Sequence, residues 1–230
     1  MGERFRLLYL KSTDESSRIH DPKGDPRTTP LSAPVADTLL AQATSDLRHS
    51  DPKVRILALQ FLERSEFSLA GPLLEEMAAD PDPSVRAQAL SSLIKFRKPD
   101  ATPLLKRCLK DGDPWVRIAA LRGLFEMDGG VDPHVLIQFL NDGSPFVRRK
   151  VATLLGWSRI EGGFPILMEM SRDQDAKVRK AALFSLFTSY PEEGEGRLVE
   201  AVADGDPDVR RWARDTLEKR IGRAPKRHGG

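Results

Sequence analysis

The chain has 230 residues, and its 36 Lys and Arg against 34 Asp and Glu leave a formal charge of +2. This near balance excludes a strongly basic protein with a general attraction to polyanions. Its single cysteine, Cys108, excludes an internal disulfide and suits a reducing compartment, so we expect a cytoplasmic protein.

Residues 1–32 are predicted to form a flexible leader, because the stretch 21–30 is dominated by proline, glycine and charged residues. The apolar segment 5–10 is an exception, and we expect a short strand or a segment that docks on the rest of the chain or on another protein. That segment is too short and too charged for a signal peptide or a membrane span. From Pro34 to about Arg48, a polar-faced helix is predicted to cap the first of a series of helical repeats.

The dominant pattern after this helix is a Val-Arg dipeptide that recurs every 31 residues without a slip. The copies are Val54-Arg55, Val85-Arg86, Val116-Arg117, Val147-Arg148, Val178-Arg179 and Val209-Arg210. A fixed period of this kind indicates a repeat array. In the copy from Asp113 to Leu124, the apolar residues Val116, Ala120 and Leu124 lie four apart and therefore share one helix face.

Each copy also carries the signal for a helix start. The residue three before each Val can accept hydrogen bonds from free amides, and proline follows it in five of the six copies. These capping positions are Asp51, Asp82, Asp113, Ser144, Asp175 and Asp206. A capped helix of roughly three to four turns is predicted in every repeat.

A second helix is predicted before each of the later copies. Its apolar pairs are Leu73-Leu74, Leu104-Leu105, Val135-Leu136 and Ile166-Leu167, with a weaker fifth at Leu198-Val199. Two antiparallel helices in each repeat predict an all-α, right-handed α-solenoid of about six helix pairs over residues 33–221. Arg214 and Glu218 place charges at packing positions of the last copy, so we expect no further repeat there, and residues 222–230 form a basic tail.

This motif resembles the short bacterial HEAT-like repeats, the type named after phycobilisome lyase subunits, over about residues 34–220. The resemblance implies that the capped helix containing the Val-Arg dipeptide, which is the later helix of each pair, lines a concave face. It also implies that the repeat arginines hydrogen-bond to turn aspartates of the neighbouring repeat as a structural ladder. The arginines are Arg55, Arg86, Arg117, Arg148, Arg179 and Arg210, and the aspartates are Asp80, Asp111, Asp142, Asp173 and Asp204.

The sequence contains no phosphate-binding loop, paired-cysteine metal motif or nucleophile elbow. HEAT-like repeats also build an iron hydroxylase, which needs several His-Glu pairs, but no histidine here is followed by glutamate. The histidines are His20, His49, His134 and His228. We therefore predict a protein that is not an enzyme, with no catalytic residues, metal or cofactor.

A binding surface is predicted from the positions that point away from the packed face, namely those just before each Val and two, three and six after it. The predicted binding residues are Trp115, Ile118, Arg122, Phe146, Arg149, Lys150, Lys177, Lys180, Phe184, Arg211 and Trp212. Arginine and aromatic residues are enriched at binding hot spots. Two structural alternatives stay open: Trp115 and Phe146 fold over the adjacent turn, and the basic residues form an ordinary solvated helix face.

Three functions are compatible with this surface. The first is a scaffold or adaptor that binds a helix or an acidic peptide of a protein partner. The second is a nucleic-acid-binding protein whose basic groups contact phosphates while its aromatics stack on bases. The third is a lyase or chaperone-lyase subunit, which rests on family analogy alone. Neither the partner nor the oligomeric state follows from the sequence.

Overall fold

The computed structural model describes residues 33–64, 70–96, 101–127, 132–158 and 162–221. The predicted leader and the basic tail lie outside these residues. Within the described ranges every regular element is a helix, as the repeat motif predicts. The contacts divide the chain into two compact units, residues 1–104 and 105–230.

The first unit contains four complete helices. They are α1 (Ala33–Asp46), α2 (Pro52–Arg64), α3 (Ala70–Met77) and α4 (Pro83–Lys95). Helix α5 (Thr102–Cys108) contains the boundary between the units. The second unit continues with α6 (Pro114–Met127), α7 (Pro133–Ile137), α8 (Pro145–Ser158), α9 (Gly163–Met170), α10 (Ala176–Ser189), α11 (Glu195–Glu200), a 3-10 turn (Ala201–Ala203) and α12 (Pro207–Ile221).

The helices begin where the repeat motif places their caps. Asp113 Oδ1 accepts hydrogen bonds from the amides of Trp115 and Val116, at 2.8 and 3.3 Å. These amides have no partner inside the helix, so the carboxylate satisfies them. Corresponding caps are made by Asp51, Asp82, Asp175 and Asp206.

In the first unit, α2 packs against α1 and α4, and α3 packs against α4. The apolar stripe predicted for the repeat is buried here, since Val85, Ala89 and Leu93 of α4 have no exposed surface. Leu74 of the shorter helix α3 is equally buried, as its predicted apolar pair requires.

In the second unit, the long helices α6, α8, α10 and α12 pack side by side in chain order, and short helices lie between them in sequence. Val147, Val151 and Leu155 of α8 form a fully buried stripe. Leu136 and Leu167, from the short helices, are also fully buried. Both predicted helices of the repeat are therefore confirmed, and the core lies between them.

Helices α8 and α10 lie close together at Gly156. An ideal Cβ on Gly156 would lie 2.5 Å from Ser185 Oγ and 2.6 Å from Ser185 Cβ. Ser185 Oγ donates to the carbonyl of Ala152, and Ser189 Oγ donates to the carbonyl of Gly156, at 2.9 and 2.7 Å. Small residues and serine hydroxyls thus bring the two long helices together.

Candidate interaction surface

The repeat arginines form ion pairs from one repeat to the next. Arg148 donates through Nε and Nη2 to both carboxylate oxygens of Asp173, at 2.7 and 2.8 Å, and through Nη1 to the carbonyl of Asp142 at 2.8 Å. The same two-pronged pairing joins Arg55 to Asp80, Arg117 to Asp142 and Arg179 to Asp204. These guanidinium groups thus donate to carboxylates of the following repeat and link neighbouring repeats.

Two aspartates of this ladder, Asp173 and Asp204, are held in their charged form. The hydrogen bond from Arg179 is the main cause that lowers the pKa of Asp204, against the opposing effect of burial. Burial alone would raise the pKa of Asp173, but hydrogen bonds from Arg148 and the amide of Asp175 outweigh it and leave that pKa lowered. The carboxylates therefore remain ionised and also accept backbone amides of their turns.

A different set of side chains, which we call the aromatic–basic face, projects outward from three long helices of the second unit. It comprises Trp115, Arg122 and Glu126 of α6, then Phe146, Arg149, Lys150 and Trp157 of α8, then Lys177, Lys180 and Phe184 of α10. On α8, Phe146, Lys150 and Trp157 lie four and seven residues apart and so follow one side of the helix. Glu126 is the single acid in this set.

One end of the face is a pair of stacked rings. The centroids of Trp115 and Phe146 lie 5.2 Å apart with the planes inclined by 33°. The guanidinium carbon of Arg149 lies 5.8 Å from the Phe146 centroid. Although the rings cover one another, Trp115 stays 53% exposed and Phe146 41% exposed.

The other end of the face is built around Trp157, which is 61% exposed. Its ring centroid lies 5.8 Å from that of Phe125 and 5.5 Å from the ammonium nitrogen of Lys150. Burial is the largest cause that lowers the pKa of Lys150, and the positive charge of Arg122 adds to it. Arg122 Nε lies 3.6 Å from Glu126 Oε1, and this nitrogen makes no hydrogen bond with the described residues.

The third aromatic pair differs in part from the sequence prediction. Phe184 is 52% exposed, and its centroid lies 6.4 Å from that of Trp212. Trp212 is predicted from sequence to lie on the binding surface, but it is partly buried because it packs on a core cluster that includes Leu183 and Leu198. Arg211 on α12 is exposed and pairs with Asp208 at 3.3 Å.

Residues 36–125 match the family model for HEAT repeats. A solved structure of similar fold is that of the complex of CpcE and CpcF of phycocyanin lyase from Nostoc sp. PCC7120. It is 22% identical, with a TM-score of 0.53 over 84% of this chain and 78% of that one. Residues 36–125 thus match HEAT repeats, and the chain has the fold of a HEAT-like repeat protein.

Weaker likenesses to solved structures have TM-scores below 0.5. One engineered protein is 18% identical over 80% of this chain and 96% of that chain, with a TM-score of 0.46. Human deoxyhypusine hydroxylase in complex with glycerol is 17% identical over 94% of this chain and 99% of that chain, with a TM-score of 0.36. Among curated proteins, none matches the sequence.

Sequence reasoning missed part of the aromatic–basic face. Trp157, Phe125 and Glu126 lie near the ends of their helices, beyond the positions taken from the repeat motif. A signal was present for Trp157, because it follows Phe146 by eleven residues, close to three full helical turns. Ile118 and Lys180, both predicted binding residues, are only partly exposed.

The described ranges contain no group of three or more His, Cys, Asp or Glu side chains arranged to hold a metal ion. In the same part of the chain, no helix has both the length and the apolar character needed to cross a membrane. Cys108 is buried among the described residues, on the apolar side of α5.

Proposed function

We propose that this HEAT-like repeat protein is a non-enzymatic interaction module whose aromatic–basic face binds a protein partner. The observation that carries the proposal is the exposure of four large aromatic side chains on three consecutive long helices. Trp115, Phe146, Trp157 and Phe184 are each between 41% and 61% exposed, all on long helices of the second unit. Clustered apolar exposure of this kind marks interaction sites, whereas single exposed apolar residues are ordinary.

The charge of the face favours an acidic partner. Arg149 and Lys150 lie beside the exposed rings, and Arg122 lies next to Lys150. Complementary charge across an interface accelerates association and selects against partners of like charge. Aromatic residues and arginine, moreover, supply much of the binding free energy at interfaces.

A lyase activity is not part of this proposal. The Nostoc protein is a lyase component, but its likeness to this chain concerns the fold, and a shared fold does not carry a reaction with it. The aromatic–basic face offers cations and rings without a nucleophile–base pair.

The proposal is tested by comparing what two matched variants retain from extracts of the native host. The first variant replaces Trp115, Phe146 and Phe184 by serine. The second, the control, replaces Ile137 and Val199 by serine; these residues are 43% and 50% exposed on short helices. Thermal melts followed by circular dichroism verify that both variants are folded at the temperature of the comparison. Loss of a specific retained protein in the first variant alone supports the proposal, and equal retention by both contradicts it.

Nucleic-acid binding is a second candidate, favoured by the cations that lie against exposed rings at Phe146 and Trp157. Single strands are bound by such combinations of stacking surfaces and basic groups. Fluorescence anisotropy with labelled single- and double-stranded oligonucleotides at low and high salt separates the two candidates. If the face binds phosphates, its affinity for the oligonucleotides should fall steeply as salt is added and should be lower in the Arg149→Ala and Lys180→Ala variants. Absence of binding at low salt removes this candidate.

A further inference from the structure

Between α6 and α8, the aromatic–basic face has rings at both ends and positive charge in the middle. Trp115 and Phe146 form one end, and Trp157 with Phe125 forms the other. Arg149, Lys150 and Arg122 lie between them along the two helices. The order along this surface is therefore apolar, basic, apolar.

The basic middle is only partly neutralised by the protein itself, through Glu126, which lies 3.6 Å from Arg122. Arg122 and Lys150 are close enough for the charge of Arg122 to lower the pKa of Lys150, and Glu126 opposes this effect only in part. Among the described residues, Glu126 is the carboxylate whose charge raises the pKa of Lys150. Two partly desolvated cations side by side are unfavourable, and an added carboxylate would relieve their repulsion.

The separation of the ring clusters indicates the conformation of the ligand. Phe146 and Trp157 are eleven residues apart on α8, which corresponds to roughly 16 Å along a helix axis. An extended peptide covers that length in about five residue steps, and because its side chains alternate, the two at the ends would point to opposite sides. A helix covers it in three turns, which returns the side chains at its ends to one side.

We propose that the surface between α6 and α8 binds an amphipathic acidic helix of a partner protein. The partner helix carries apolar side chains eleven residues apart, which meet the Trp115–Phe146 pair and Trp157. It carries carboxylates four and seven residues after the first apolar side chain, which meet Arg149, Lys150 and Arg122. This mode is a helix lying in a groove with anchors at helical spacing. The inference rests on the proposed function and specifies the chemistry of its partner.

Three fluorescein-labelled, side-chain-stapled helical peptides test the inference by anisotropy on the full chain. The first has phenylalanine at positions 1 and 12 and glutamate at positions 5 and 8. The second has glutamine in place of both glutamates, and the third moves the glutamates to the opposite side of the helix. The first peptide should bind about tenfold more tightly than either of the others, as expected for charge-assisted contacts.

Two protein variants locate the contact. Lys150→Met keeps an unbranched chain against Trp157 but removes the charge, so it should weaken the glutamate peptide about tenfold and leave the glutamine peptide unchanged. Lys110→Met removes another exposed lysine of the same unit and serves as the control. Trp157→Ala should weaken both peptides. Thermal melts followed by circular dichroism verify that each variant is folded.

Equal binding of all three peptides, or equal effects of Lys150→Met and Lys110→Met, would overturn the inference. In that case the serine variants of Trp115, Phe146 and Phe184 still decide the proposed function, because they report on the native partner and not on these peptides. Tighter binding of a single-stranded oligonucleotide than of the glutamate peptide, lost in Lys150→Met, would also overturn it and would favour a phosphate ligand.

Discussion

At the scale of the single residue, the ladder arginines and the exposed basic residues have opposite environments. Arg148 and Asp173 form a two-pronged pair whose side chains are only 7% and 10% exposed. Arg211 and Asp208 form a pair in which both side chains are 71% exposed. Solvent screens the second pair but not the first, so only the first has a large effect on stability.

This contrast predicts the effect of removing one acid from each pair. Asp173→Ala leaves a guanidinium buried without its partner and should lower the free energy of unfolding by about 3–5 kcal/mol. Asp208→Ala should lower it by less than about 1 kcal/mol. Urea denaturation of both variants measures the difference. Similar values for the two variants would mean that the ladder contributes little to holding the repeats together.

The lowered pKa of Asp204 predicts how stability depends on pH. Because the folded pKa lies below that of the unfolded chain, ionised Asp204 stabilises the fold fully above the ordinary aspartate pKa of about 3.9. This contribution is lost as the pH falls toward and through the folded pKa. Asp204→Asn should therefore reduce the acid dependence of the unfolding free energy, measured by urea titrations at a series of pH values below neutrality. An unchanged dependence would exclude Asp204 from the acid response.

At the scale of the element, the register of the repeat was predictable from sequence, whereas the distance between helices was not. Capping residues, apolar stripes and the second helices all follow from local spacing, as Asp113 and the buried stripe of α8 illustrate. The close approach at Gly156 depends on which residue of α10 lies opposite it. That residue is Ser185, and the repeat motif does not predict a serine at this position.

Gly156 gives a prediction at this scale. Gly156→Ala places a Cβ against Ser185, so α8 and α10 must separate, and overpacking of this kind costs about 1–3 kcal/mol. The matched control is Gly196→Ala in α11, where no heavy atom lies within 4 Å of the added Cβ. The control should be neutral or should stabilise by up to about 1 kcal/mol. Chemical denaturation measures the free energy of unfolding of both variants. A loss for Gly156→Ala no larger than that for the control would contradict the close approach.

The aromatic–basic face could be predicted only in part, for a reason that also concerns packing between elements. Exposure of Trp115, Phe146 and Phe184 follows from their positions relative to the repeat Val. Trp212 lies three residues after the repeat Val, whereas Trp115 and Phe146 precede that Val and Phe184 lies six residues after it. Trp212 is partly buried and packs against the cluster that contains Leu198 and Ala201. Trp157 lies outside the repeat motif, so its exposure required the structure.

At the scale of the whole molecule, the residues that hold the repeats together are distinct from those proposed to bind a partner. The ladder and the buried apolar stripes build the two compact units, and their charged groups are already paired. The face on α6, α8 and α10 instead keeps rings exposed and cations without full compensation. Most of the structure buries its apolar side chains and pairs its charges, and a region that does neither is typical of a functional surface.

Site-specific photocrosslinking in the native host tests most directly whether the aromatic–basic face binds a partner. A benzoylphenylalanine placed at Phe184 is compared with one at Ile137, a similarly exposed apolar residue on the short helix α7. We predict a discrete crosslinked protein from position 184 and none of that species from position 137. The same crosslinks from both positions, or none from position 184 while position 137 reacts, would show that the aromatic–basic face is not the surface this protein uses.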